Sequence, residues 1–282
     1  EGVTIRDAQP RTSAGFAAVA MGRVGSTNTR TWTGPAVRIA DLTVTGANMA
    51  LALLRPAPLL ITGTQTVQGN TQNAVVVLAN GHTGHYTFSA GVPYHFQRTD
   101  RRYITSATDS TTLQPGAVFK FASGYQADFG HVTAEGTSDA PITLTALADD
   151  TAGGDSNADG ATTAPAVSYW GRAVGEGTFR HLSVRYADYG LLVSGTSTIT
   201  DSEFRANRFG LTLQSGFTLG GTTASPVLTM HPATVTATRN TFGEHTEAPI
   251  LMPDYANFRG DLRGNTFQPA AKFAGVGLFY NG

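Results

Sequence analysis

The chain contains no cysteine, which excludes disulfides, thiolate metal sites and cysteine nucleophiles. Charge is scarce as well: 14% of the 282 residues are charged and the formal net charge is −1. A general nucleic-acid binder needs a strong positive excess, and none is present. Lysine occurs only at Lys120 and Lys272. No apolar run approaches the ~20 residues that cross a bilayer as a helix. The most apolar stretch, Met49–Ile61, is broken by Arg55, Pro56 and Pro58. No basic segment followed by an apolar one opens the chain, so no signal peptide is visible. Helical periodicity is nearly missing too.

Glycine, threonine and β-branched residues run through the whole length, which favours β-structure. A weak internal repeat refines the class. Leu182-Ser183-Val184 aligns with Ser202-Glu203-Phe204, then with Asn240-Thr241-Phe242 and Asn265-Thr266-Phe267. About seven residues after the first two anchors comes a Gly-Leu pair, Gly190-Leu191 and Gly210-Leu211; Ile250 and Gly277-Leu278 follow the later anchors at longer distances. Towards the N-terminus, Val44 precedes Leu51, and the segment opening at Asn48 echoes the one opening at Asn73. Steps of 20 to 25 residues mean stacked units. Each unit has short strands, polar turns and no helix pattern, so the spacing predicts a parallel β-helix. One coil cannot bury its inward residues alone and stacks on the next through backbone ladders ~4.8 Å apart. Asn207, Asn240 and Asn265 are expected at turns, in left-handed geometry and bonded to neighbouring backbone. A β-sandwich with evenly spaced strands is the competing architecture.

The segment Pro141–Trp170 begins as a strand with Ile142 and Leu144 and breaks into an acidic, glycine-rich loop. Within it, Asp155-Ser156-Asn157-Ala158-Asp159-Gly160 has the D-x-N-x-D-G spacing of a calcium loop. Five oxygen carriers, Asp149, Asp150, Asp155, Asn157 and Asp159, fall within eleven residues and form the expected metal set. The EF-hand reading fails, because Ala166 stands where the twelfth-position glutamate belongs and no helix flanks the loop. The alternative is an Asp/Asn/Gly turn that binds nothing.

From Val92 to Trp170 the chain resembles bacterial exported right-handed parallel β-helix proteins of the pectin-lyase-like superfamily. The residues that carry the likeness are Val92-Pro93-Tyr94, Thr112–Phe121, Val132–Thr137, Ala140–Thr145 and the DDTAGGDSNADG loop with Trp170-Gly171. Two departures stand out: Ser168-Tyr169 replaces the usual Gly-Asp before the tryptophan, and Gly216–Ala233 reads as an excursion from one coil. The resemblance implies an all-β right-handed parallel β-helix with a calcium-loop excursion, in an extracellular or bacterial cell-surface or envelope setting. It does not imply an enzyme.

Some relatives of that superfamily are polysaccharide lyases that use calcium and a basic residue. The corresponding candidates are Arg185 and Arg205, 20 residues apart and expected on neighbouring coils, with Arg180 and Arg208 nearby. The competing reading is a solvated face on which Asp188 pairs with Arg208 and His181 with Asp201. A glycoside hydrolase needs two carboxylates ~5 Å or ~6.5–9.5 Å apart; Asp201 and Glu203 are the candidates. A non-catalytic glycan-binding module would show exposed aromatics, for which Tyr169, Tyr186 and Tyr189 are available. His82 and His85 lack a third zinc ligand nearby in sequence. Threonine alternation at Thr43-Val44-Thr45 and Thr234–Thr238 raises an ice-binding face, but no alignment of such threonines on one strand position recurs in the sequence, and β-propensity accounts for them.

Both ends read as strands, Glu1–Ile5 and Val276–Tyr280, without polar caps. The expectation is one β-helix domain over residues 1–282, a fragment of a longer surface protein whose partner is the remainder of that chain or another envelope protein. The reading that follows is a calcium-stabilised scaffold with a structural or adhesive role, with an extracellular glycan as a further candidate partner. The alternatives are a lyase or hydrolase acting on such a glycan, and a non-catalytic binding module.

Overall fold

The computed structural model describes residues 3–6, 17–21, 37–54, 59–98, 101–105, 108–160, 169–222, 225–231, 233–253, 258–268, 272 and 275–278. Glu1, Gly2, Ala166, Ser168, Phe279 and Tyr280 lie outside them. The described residues contain strands and turns and no helix. All strand pairings but one are parallel, and they wind into a parallel β-helix with three faces.

The first face is a ten-stranded ladder from Ala17–Met21 to Thr266–Phe267. The second and third are joined by two long strands, Gln126–Glu135 and Arg172–Arg180, with an irregularity between Asp128 and His131 where the chain turns the corner. Their leading halves belong to the second face, which continues through Leu191–Val193, Phe209–Leu213, Ala248–Met252 and Val276–Leu278. Their trailing halves belong to the third, with His85–Phe88, Ser110–Leu113, Thr196–Thr200, Ala233–Thr238 and Phe258–Asp261. A shorter ladder of Val3–Arg6, Leu42–Thr45 and Thr66–Val67 serves the first coils.

The repeat follows from this stacking. Val184, Phe204, Phe242 and Phe267 occupy one inward column. The three phenyl rings stack at 5.0 and 5.3 Å with planes within 12°. Leu191, Leu211 and Ile250 form a second column. Gly190 and Gly210 are close-approach positions: a Cβ on Gly190, at φ +50°, would sit 1.8 Å from the carbonyl oxygen of Gly210. Two alignments need correction. Ile250 pairs with Val276 and Met252 with Leu278, so the Gly277-Leu278 pair is two residues out of the column. Leu51 pairs with Val75, not Val76, because the register slips between Met49 and Leu51.

The asparagines bridge coils as expected but are not the left-handed residues. Positive φ falls one position earlier, at Ala206, Arg239 and Gly264. The side chain then lies flat between coils: Asn207 Oδ1 accepts from Ala187 N and its Nδ2 donates to Val184 O, both at 2.8 Å. Asn240 does the same with Ser202 N at 3.0 Å and Ile199 O at 2.9 Å. Each amide satisfies two buried backbone groups that a bend leaves without a ladder partner.

One hydrophobic core runs from Leu42 to Met252. Its middle is aromatic, with Phe88, Phe96, Tyr103, Phe119 and Phe129 edge-on or tilted against one another. At the far end Phe267, Val276 and Leu278 are exposed. The irregular stretch after Gly216 is an antiparallel hairpin, Gly216–Thr222 with Ser225–His231, inserted between the second and third faces.

Candidate functional site

The acidic loop leaves the first face after Ile142–Ala146 and folds back over the outside of that same sheet as a strap. Outward side chains of three successive coils, His95, Lys120 and Thr145, are aligned by the ladders and completely buried beneath it. Burial without partners would be costly for each, and each finds one in the strap. Thr145 Oγ1 donates to Asp149 Oδ2 at 2.5 Å, and Lys120 Nζ donates to Gly154 O at 2.7 Å. His95 Nε2 meets Ser156 Oγ at 2.8 Å. The backbone of Asn73, a coil further on, donates to Ser156 O at 2.7 Å. Burial draws the Lys120 ammonium below its ordinary pKa, opposed by Asp150 at 3.6 Å. Burial, reinforced by Lys120, lowers His95 to about 3, so its imidazole is neutral. The chain re-enters the wall at Trp170, which stacks on Phe121 at 4.4 Å and donates from Nε1 to Arg185 O at 2.8 Å.

The expected metal set divides. The carboxylates of Asp150, Asp155 and Asp159 offer oxygens within 4.8 Å of one another. Asn157 stands among them, its Nδ2 donating to Asp159 Oδ2 at 2.7 Å while its Oδ1 is buried without a hydrogen bond. Asp149 stands apart from them. Its fully buried carboxylate accepts from Thr145, from Thr151 N at 3.1 Å and Thr151 Oγ1 at 2.6 Å, and pairs with Arg185 Nε at 2.9 Å. The remaining donors are hard carboxylate and amide oxygens, with Lys120 3.6 Å from Asp150, which fits a calcium ion in kind.

Beside the strap lies a cleft of about 860 Å³ on the first face. Ser138, Asp139, His181, Arg185, Asp201, Glu203, Arg239 and Thr241 line it, and Thr151 and Ala152 of the strap form one wall. Three of the four catalytic candidates, Arg185, Asp201 and Glu203, therefore meet in one place, while Arg205 does not line the cleft. Arg185 and Arg205 stack in register, but each is committed elsewhere, Arg185 to Asp149 and Arg205 to Glu244 through two bonds of 2.9 and 2.8 Å. Asp201 receives a two-pronged bond from Arg239 at 2.7 and 2.8 Å, with Arg180 at 3.4 Å. The Arg239 hydrogen bonds hold its carboxyl below the usual carboxylate range. Glu203 alone makes no hydrogen bond or ion pair among the described residues. Asp188 pairs with Arg208 at 3.0 Å, as the solvated-face reading expects.

The aromatic candidates do not line the cleft. Tyr189 stacks on Phe209 at 5.4 Å, Tyr169 reaches Thr246, and Tyr186 packs against the core. Sequence reasoning missed Arg239, which is brought to Asp201 by the coil stack from 38 residues away. It also missed a second polar hollow of about 260 Å³ on the second face, lined by Gln126, Asp128, Arg172 and Gln214. There burial raises the Asp128 carboxyl.

Threonine alignment is the largest correction. Thr87, Thr112, Thr133, Thr178, Thr198 and Thr236 occupy one outward column on six consecutive coils of the third face. Their sequence spacing is irregular because insertions separate the coils, which hides the alignment in the linear sequence.

Comparison of the chain with protein-family models, curated proteins and solved structures finds no match in any of the three.

Proposed function

We propose that this chain is a calcium-stabilised β-helix scaffold of a bacterial cell-surface or envelope protein, with a structural or adhesive role. The observation that carries the proposal is the commitment of its candidate catalytic charges to the fold. Arg185 secures a buried strap aspartate, Arg205 is forked onto Glu244, and Asp201 is forked onto Arg239. A lyase base must be free to take a proton, and a hydrolase acid must hold one near neutral pH. Arg185 and Arg205 are charge-paired cations, and Asp201 is held ionised. The likeness to exported pectin-lyase-like β-helix proteins supports the extracellular setting.

Calcium belongs on the strap, held by Asp150, Asp155 and Asp159 with Asn157 beside them. The ion would neutralise three clustered carboxylates and fasten the outer part of the strap, whose inner part Lys120 and His95 already hold. A glycan-binding reading stands second, favoured by the polar cleft with its unengaged Glu203. The test is a thermal melt with calcium and with chelator, alongside product analysis on acidic and neutral polysaccharides. A melting temperature raised by calcium and no product on any glycan is the expected result. An unchanged melt removes the ion, and calcium-dependent unsaturated products would replace the scaffold with a lyase.

A further inference from the structure

The third face carries a regular outward surface. Its central outward column holds six threonines on consecutive coils, from Thr87 to Thr236. On the last two of these coils the array is three wide, with Thr196, Thr198 and Thr200 in register with Thr234, Thr236 and Thr238. Inward neighbours Ser197, Ile199, Val235 and Ala237 are buried, so the threonines all project from the same side. The ladders fix their spacing at ~4.8 Å between coils and ~6.6 Å along a strand. Threonine is stiff at χ1, so each hydroxyl and methyl is held in a defined position once the backbone is fixed.

Two further observations narrow what such a face can bind. The hydroxyls of Thr133, Thr178, Thr198, Thr236 and the four flanking threonines make no hydrogen bond among the described residues, whereas Thr87 and Thr112 at the start of the column contact His85. The column also carries no ionisable side chain until Asp261, which follows Thr236. A protein partner would call for aromatic anchors at the centre of its interface, and the central column has none. A neutral, periodic, hydrogen-bonding surface is what matches it. An ice surface presents its oxygen atoms in regular rows, which a flat array of hydroxyls at two fixed spacings can meet repeatedly. We propose that this threonine array binds the ordered surface of ice, with the hydroxyls completing water's hydrogen-bond lattice and the methyls excluding disordered water between the rows. Ionisable residues border the array on its outer rows, at His85, His131, Glu135, Glu176 and Arg180. Binding is therefore concentrated on the two fully threonine-lined coils and along the column leading to them.

The test is partition of the whole chain into slowly grown ice, together with inhibition of ice recrystallisation. The chain is expected to be enriched in the ice fraction relative to an inert protein of similar size. The double substitution Thr198→Lys and Thr236→Lys should abolish that enrichment, while Thr43→Lys, on the separate ladder with Thr66, should leave it unchanged. Thr198→Val keeps the strand preference and removes one hydroxyl, so it guards against misfolding of the lysine variants; it is expected to reduce the enrichment at an unchanged melting temperature. Exclusion of the unaltered chain from ice, or equal enrichment of the lysine double variant, would overturn the proposal. Adsorption to crystalline cellulose without enrichment in ice would overturn it too.

Discussion

Acid should unfold this protein through three histidines before its carboxylates titrate. His82, His95 and His245 are each buried to within 1% of full exclusion. His82 is enclosed by hydrogen bonds, with Nδ1 2.7 Å from the Tyr103 hydroxyl and Nε2 3.2 Å from Ser110 O. Burial is the largest cause of each depression, holding His82 and His245 at about 4 and His95 at about 3. The unfolded chain therefore binds more protons between pH 6.5 and 4, and stability must fall as pH falls through that window. At pH 5 an imidazole of ordinary pKa gains about 2 kcal/mol from protonation in the unfolded state, relative to pH 7, that the buried one does not. Three such groups give about 6 kcal/mol, a large share of the ~5–15 kcal/mol typical of a domain. The depressed carboxyls of Asp201, Glu244 and Asp261 have ordinary values near 4. Their stabilisation is retained above that range and lost only as pH falls through and below it, so the loss at pH 5 comes from the imidazoles, opposed only by Asp128, whose raised carboxyl takes up its proton in the folded state. Guanidinium midpoints at pH 7 and pH 5, at constant m-value, measure the loss. His82→Gln should remove about a third of the pH dependence. A loss below about 2 kcal/mol for the unaltered chain, equal to that of a single histidine, would refute the claim that all three are held neutral.

Other perturbations probe the wall and the strap. Arg185→Ala strands the buried Asp149 carboxylate and should cost about 3–5 kcal/mol by denaturant titration. Because the strap also forms a wall of the cleft, Thr151 should become more susceptible to proteolysis in that variant. Asn240→Ala leaves Ser202 N and Ile199 O without their side-chain partner, and a loss of about 2–4 kcal/mol is expected in the same assay. Gly190→Ala drives a methyl group into the Gly210 carbonyl and should prevent cooperative folding, seen as loss of the thermal transition by circular dichroism; a melt near that of the unaltered chain would show that the coils can separate there.

Much of the architecture was legible in the sequence because parallel in-register stacking makes the same demand on every coil. An inward column accepts only apolar residues, so Val184, Phe204, Phe242 and Phe267 stand out at repeated steps. A backbone contact that excludes a Cβ demands glycine each time, so Gly190 and Gly210 recur before a leucine. The errors of one residue at Leu51 and two at Val276 arose where a register slip or an altered turn length shifts the strand without changing its composition.

Side-chain partnerships across coils depended on the tertiary path. Asp149 and Asp150 are adjacent in the chain, yet the strap turns one inward to Arg185 and presents the other to Asp155 and Asp159, because the sheet below supplies cations at fixed places. Whether an arginine is a catalytic base or a tether depends on what the winding brings against it, as Arg239 meets Asp201 and Arg205 meets Glu244. The threonine column was equally hidden. Its members are 25, 21, 45, 20 and 38 residues apart, since a strap and a hairpin are inserted between coils. Local composition determined that strands form and which side of each is buried; only the winding of the backbone decided which outward residues became neighbours.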